Sequence, residues 1–545
     1  MLTLFADQTK FGPDPTYADL YDGSYGPTNS VLAVAEDPLA LLFYFMPPKL
    51  WAQIAVESNT YHRQSIPQRA RAIRAQQRKG GGEVEDLGDI RRRLDGVEDM
   101  DAYEVLRVMA LLIARMLAPI RKGIAAHWSV AKVGAMPANR LGFFMGKNHF
   151  FHIMGYMHFS NNKSPKASTD RAWKIRPVVD VLQRTFARGY RVRPVISFDE
   201  ATLPSRSRYN PTRQFNKDKP HKWGTKVFVV FCGAKAHLHT HIPKDNNSGE
   251  AAVLRNLNAL CPPSPTFPWR LVITDRSYTS VKLALELLHR RVYLTGTIQT
   301  DRSGCAKNVI TKKNTRTVNN QKVMVPSHGT TKFAENKQFP QLTAVMWMDR
   351  LPVHMLSTGG SRRSSTVMRR VHGEMKAVPA PELVRDCHRW MGGVGVHDQL
   401  RTQRYSVQLA YKTRKYYKTL FMGLFDMALV IAFIVHRYYR KVNNKRPPNH
   451  FATYLCNNAR EGRDKTCFQI WHADSSSGND IPRALLQEHK NRNRPPPSRP
   501  GKKRGRTAQE HHRSMGGDGD GAAASEVEAG ESGDADSVAE ADDES

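Results

Sequence analysis

The sequence predicts an α/β domain interrupted by an insertion, preceded by an all-helical domain and followed by a disordered C-terminal tail. Three observations lead there. Apolar residues recur at helical spacing through residues 101–160, then give way near residue 190 to short β-branched and aromatic runs. Two of those runs, "VISFD" (195–199) and "LVITD" (271–275), finish on an aspartate. After residue 490 the chain turns Pro-rich and basic, then rich in Gly, Ala, Asp and Glu, compositions that cannot bury enough apolar surface to fold.

Composition sets the outer bounds. At 545 residues and 40% hydrophobic content, the chain can build a sizeable core and two or three domains. The formal net charge is +32, and the stretch from Gly516 to Ser545 holds eleven acids and no base. The body is therefore still more basic than the whole. Such an excess implies a polyanionic partner, nucleic acid first, with an anionic membrane as the rival. Cys232, Cys261, Cys305, Cys387, Cys456 and Cys467 form no CxxC pair, so no zinc is predicted. Cys456, Cys467 and His472 are the nearest approach to a cluster, and free thiols remain the simpler reading. The scatter suits a reducing compartment. The N-terminus shows no signal-peptide pattern. The apolar run Leu420–Val435 is 16 residues long and contains Asp426. That is short of the ~20 residues a bilayer requires, so a buried core helix is expected, with no membrane partner.

In chain order, residues 1–34 read as an arm. Residues 35–190 read as the helical domain, with a helical pattern at 38–64 broken by Pro47 and Pro48. Within it, residues 66–98 form a basic, polar insert, either an exposed helix or a solvated linker. His149, His152 and His158 lie among aromatics at helical spacing, which favours packing over metal binding. From 191 to 299 come an apolar strand ending at Asp199 and two strands around Gly233. A helix from Ser248, a strand ending at Asp275, another helix and the strand at 292–299 follow. Residues 300–385 are polar and irregular, with two short strand-like pieces, and read as an insertion domain. Residues 386–440 return to helix, 441–490 form an extension, and 491–545 form the tail.

That order is the order of a ribonuclease-H-like α/β catalytic domain, in which the first and fourth strands lie side by side. Both end here in aspartate. The stretch "WMGGVGVHDQL" (390–400) then brings Asp398 toward the same edge. Asp398 is either the last ligand of a metal site or a helix-start acid favoured by the helix dipole. Carboxylates from distant parts of the chain suit phosphodiester chemistry, because two hard cations stabilise the attacking and leaving oxygens together. Mg²⁺ (or Mn²⁺) takes one or two carboxylates per ion, with water and substrate oxygens completing the shell.

Several blocks in order carry a resemblance. "ISFDEATLPSRSRYNPTRQFNKDKPHKWGTKVF" (196–228), "TDRSYTSVKLALELLHRRVYLTGTI" (274–298), "WMGGVGVHDQL" and "RKYYKTLFMGLFDMALVIAFIV" resemble the successive blocks of piggyBac-type DDE transposases. "NHFFHIMGYMHFSNN" and "WKIRPVVDVL" are similar to that family's helical dimerisation and DNA-binding region. The resemblance spans about residues 35 to 440. It implies a homodimer that binds double-stranded DNA, with Asp199, Asp275 and Asp398 as the catalytic and metal-binding acids and two Mg²⁺ or Mn²⁺ ions when active. It implies no small-molecule cofactor. Two departures stand out. Gly395 occupies the position of the family's third catalytic aspartate, and the cysteine-rich zinc module that usually follows is missing.

Basic residues among aromatics suit phosphate contact with base stacking. Arg206, Arg208, Arg213, Lys217, Lys219, Lys222, Trp223 and Lys226 form one such cluster. Arg401, Arg404, Lys412, Arg414, Lys415 and Tyr416 form another. By resemblance, Tyr416 takes the place of a Trp that stacks near the cleaved end. Lys502, Lys503 and Arg504 read as a nuclear localisation signal or as a DNA-binding tail. Two functions remain in view: a nuclear transposase-derived enzyme cutting and joining DNA strands, and a DNA-binding or chromatin protein with impaired catalysis.

Overall fold

The structure, a computed structural model, describes residues 2–445 apart from 6–13, 15, 121–122, 131–139, 218, 220, 232–234, 238–247, 263, 319–320, 372–373 and 403–404. The β-branched runs around the two aspartates form the middle of one mixed sheet. Val195–Pro204 pairs in parallel with Arg270–Thr274, from Val195 opposite Leu271 to Phe198 opposite Thr274. Arg270–Thr274 pairs in parallel with Val292–Thr297. On its other side, Val195–Pro204 runs antiparallel to Trp223–Phe231, which pairs with Lys235–His237. The first and fourth strands are therefore neighbours, as the element order predicts. Helices Ser248–Leu260 and Val281–His289 make the crossovers. The second starts at Ser280, whose hydroxyl accepts from the Leu283 amide at 3.0 Å.

The first strand does not stop at Asp199. It continues to Pro204 because Trp223–Phe231 zips alongside it as far as Gly224 opposite Pro204. A larger correction concerns residues 300–385, which do not fold apart as an insertion domain. Thr331–Asn336, Leu342–Met348 and Pro352–Thr358 extend the same sheet antiparallel from Val292–Thr297. Two hairpins, Asn314–Val318 with Gln321–Val325 and Ser364–Val371 with Glu374–Pro381, stand outside it.

The helical segments before residue 190 bury their apolar faces around Tyr416–Val442, a 27-residue helix from the far end of the chain. Trp51 meets Phe421 and Phe425, each with ring centroids 6.2 Å apart. The helix also covers Ala201, Leu203 and Val227 of the sheet, so helices and sheet share one core. By length and composition it is, among the described residues, the one single helix long and apolar enough to cross a membrane, and the bent pair Pro38–Phe45 with Pro48–Lys79 passes the same test if taken as one span. Here Tyr416–Val442 is the core helix that the run at 420–435 predicts. Its Asp426 is buried and accepts from Ser406 Oγ at 2.7 Å, Val407 N at 2.9 Å and Gln408 N at 3.1 Å, capping the short Val407–Ala410 helix.

Most of the basic insert is helical, with a break between Lys79 and Leu87. Pro48–Lys79 continues through Pro67, which lies on the exposed face. Ile66 and Ala70 pack on Ile90 and Leu94 of the Leu87–Asp95 helix. His158 is a packed residue, stacked on Tyr61 at 4.3 Å and hydrogen-bonded to Tyr417 Oη at 3.1 Å.

Candidate active site

Phe198 and Thr274 are the last register partners of the two central parallel strands. The next residue of each strand's run is an aspartate, so Asp199, still paired with Val229 in the sheet, and Asp275, just past the end of its strand, come side by side, with strands spaced about 4.8 Å apart. Asp275 opens a tight turn: Ser277 N donates to Oδ1 at 2.9 Å, and the Tyr278 and Thr279 amides donate to its carbonyl at 3.2 and 3.1 Å. The neighbouring strand must approach this turn closely. At Gly296 a Cβ would come within 2.3 Å of Thr274 O and 2.5 Å of Thr279 Oγ1, so no larger residue fits.

The electrostatics follow from this crowding. Burial, with repulsion from Glu200 and Asp275, pushes the Asp199 carboxyl up to about 7. Burial, with Glu200, also raises Asp275. Glu200 moves the other way. Burial opposes its charge, but Lys226, Tyr278 and Lys219 overcome that and hold it below the ordinary carboxylate range. Lys226 Nζ lies 3.5 Å from Glu200 Oε2, the Tyr278 hydroxyl donates to the same oxygen, and Lys219 Nζ donates to the Glu200 carbonyl at 3.1 Å. Lys219 and Lys226 thus face the acid centre. Glu200 and Tyr278 belong to the site although the charge pattern alone does not mark them. The available signal is Glu200 directly after Asp199 and an aromatic three residues after Asp275.

Asp398 lies on the Gly393–Thr402 helix, which packs against the Val195–Pro204 strand. Its Oδ1 accepts from Arg401 Nη2 at 2.6 Å. Arg401 is buried, and it also donates to Thr202 O at 2.7 Å and Gln408 Oε1 at 3.0 Å. This corrects the reading of Arg401 as a DNA contact: its guanidinium joins helix to strand inside the protein. Among the described residues, no three His, Cys, Asp or Glu side chains converge as a ready metal site. The structure therefore brings Asp199 and Asp275 together and leaves Asp398 in an ion pair. Gly395, one helical turn before Asp398, has no atom within 4 Å of where a Cβ would stand.

Two adjacent carboxylates whose burial and mutual repulsion disfavour their charges suit a hard divalent ion such as Mg²⁺ or Mn²⁺. They would supply oxygen ligands to such an ion.

The outlying basic residues are mostly at the surface. Arg206, Arg208, Lys217, Lys222, Trp223, Lys412 and Arg414 are exposed, and Arg213 and Lys415 are half-buried. Tyr416 is half-buried, and burial pushes its hydroxyl up to about 12. Arg404 and the Lys502, Lys503 and Arg504 cluster fall outside the described residues, as do Cys456 and Cys467.

A ribonuclease-H-like sheet with an aspartate pair where its first and fourth strands meet is the architecture of a DDE-type transposase. Residues 37–433 match the family model described as Transposase IS4, and the chain belongs to that family. Among solved structures it is similar in fold to a piggyBac transposase, determined by cryo-EM in a synaptic complex with hairpin DNA. The TM-score is 0.55 at 17% sequence identity, covering 78% of this chain and 80% of that one. No curated protein matches the chain.

Proposed function

We propose that this is a piggyBac-like, transposase-derived nuclear protein that binds double-stranded DNA as a homodimer, with Asp199 and Asp275 holding a divalent cation against the scissile phosphate. The observation that carries this reading is the adjacency of the two aspartates, flanked by exposed arginines and lysines. A bound cation would stabilise charge on the attacking and leaving oxygens. The chain's own residues do the rest. Asp199 and Asp275 orient the ion, Lys226 and Lys219 keep Glu200 ionised beside them, and Arg206 and Arg208 present charge to the DNA backbone.

The same geometry favours weak catalysis. Gly395 carries no carboxylate, and Asp398 already neutralises the buried Arg401. A ligand displaced by one helical turn is a large error where about 1 Å costs ~100-fold in rate. The test is nicking of supercoiled plasmid with Mg²⁺ or Mn²⁺ by wild type, Asp275→Asn, Gly395→Asp and the double variant. All four should bind duplex in a salt-sensitive way. Gly395→Asp should nick faster than wild type, and Asp275→Asn should abolish nicking in both backgrounds. Nicking that survives Asp275→Asn, or absence of duplex binding, overturns the reading.

A further inference from the structure

An exposed aromatic pair sits on the sheet face that carries Asp199. Arg213–Phe215 is an edge strand against Trp223–Phe231, with Phe215 directly opposite Trp223. Directly opposed residues of an antiparallel pair share a face, and alternate residues along a strand return to it. Asp199, Ala201 and Leu203 stand opposite Val229, Val227 and Thr225. The series then reaches Trp223, whose carbonyl accepts from Ser205 N at 3.0 Å. Asp199, Trp223 and Phe215 are therefore on one side of the sheet. Between them Ala201, Leu203 and Val227 are covered by the helix Tyr416–Val442, so the aromatic pair emerges beyond that cover, at the Pro204 end of the strand.

The pair is built rather than incidental. The Phe215 and Trp223 rings meet edge to face, with centroids 5.0 Å apart, and the Arg213 guanidinium lies over the Trp223 ring at 4.3 Å. The residues remain 54% and 40% exposed, in a chain that buries Trp51 and Trp347 completely. Tyr209 nearby in sequence is 67% exposed, and exposed Arg206 and Arg208 flank it. Grouped exposed aromatics mark a binding surface. Aromatic faces ringed by arginine fit nucleobases, whose π-faces stack on them while the guanidinium groups meet phosphate. A paired base inside a duplex cannot offer its face.

We propose that Phe215 and Trp223 form a stacking platform for an unpaired nucleobase of DNA. The inference rests on the DNA-binding reading and goes beyond it by naming the strand state that is recognised. The full-length protein is titrated by fluorescence anisotropy, at one salt concentration, against a blunt duplex and the same duplex with eight unpaired nucleotides at one end. Wild type binds the frayed end more tightly. Phe215→Ala lowers affinity for the frayed end about 5- to 100-fold and leaves the blunt duplex unchanged, Trp223→Ala lowers affinity for the frayed end more than for the blunt duplex, and Trp223→Tyr keeps the preference. Arg206→Ala with Arg208→Ala weakens both DNAs equally. Equal loss on both DNAs in the aromatic variants, or no loss on either, removes the platform while leaving duplex binding standing. Absence of salt-sensitive binding to either DNA in wild type removes the DNA-binding reading as well. Phe215, the more exposed ring, gives the answer if Trp223→Ala does not fold.

Discussion

Asp199 is strongly altered by its surroundings. A carboxyl held at about 7 keeps its proton where an unfolded carboxyl, near 3.9, has lost it. Between those values the folded state binds more protons than the unfolded one, so stability falls as pH rises through the window and levels off above about 7. The difference in melting temperature between Asp199→Asn and cation-free wild type should therefore grow in favour of the variant from pH 4 to 7. Cation binding requires the same proton to leave. The upward melting shift caused by Mn²⁺ should be larger at pH 8 than at pH 6 and should vanish in Asp199→Asn; a pH-independent shift contradicts this. Arg401 makes the second residue-scale prediction. Its side chain is wholly buried while Asp398 stays 22% exposed. Removing one partner of a buried pair costs about 3–5 kcal/mol, and Arg401→Ala should fall toward the low end of that range because Asp398 can rehydrate. Urea midpoints read this. Little change would mean that the pair is not a structural clamp. The two aspartates are legible in sequence because each ends a run of apolar β-formers. The Glu200–Tyr278 bond joins residues 78 apart in the chain, so no local pattern shows it. The Asp398–Arg401 pair has a signal, the i,i+3 spacing, but the same spacing describes surface charges on any helix.

At the scale of elements, what the sequence shows depends on how much each segment carries by itself. "VISF" and "LVIT" are strands in any register, and the long run at 420–435 is a core helix by composition. "TKFAEN" (331–336) and "SSTVMRRV" (364–371) are strands because partner strands supply their hydrogen bonds, and β-propensity is weak against such context. Helix Pro48–Lys79 passes through Pro67, where Ile66 and Ala70 are held by Ile90 and Leu94. The helix Tyr416–Val442 organises the apolar interior of the helical region. Phe421 is fully buried between Trp51, Phe159 and Phe425. Phe421→Ala should cost about 3–5 kcal/mol by opening a cavity there, seen as a lowered unfolding midpoint. Gly395→Asp should be neutral or stabilising by the same measure. Its Cβ meets empty space, and an acid in the first turn of a helix is favoured by the dipole.

For the whole molecule, charge and topology act together. On the proposed reading, a chain of net charge +32 would gather DNA by releasing counterions, so the logarithm of its affinity should fall linearly with the logarithm of salt concentration. Replacing Arg206, Arg208 and Lys222 should make that slope shallower by about 0.9 for each phosphate no longer neutralised. Folding sets Asp199 beside Asp275 across 76 positions of sequence, and on the proposed reading the pair would share one divalent ion. A double-mutant cycle on Mn²⁺ binding, measured by isothermal titration calorimetry with wild type, Asp199→Asn, Asp275→Asn and the double variant, tests this directly. Shared ligation predicts that either single change loses nearly all measurable binding and that the double variant loses little more. Full binding in either single variant, or losses that simply add, would mean the two carboxylates serve separate places.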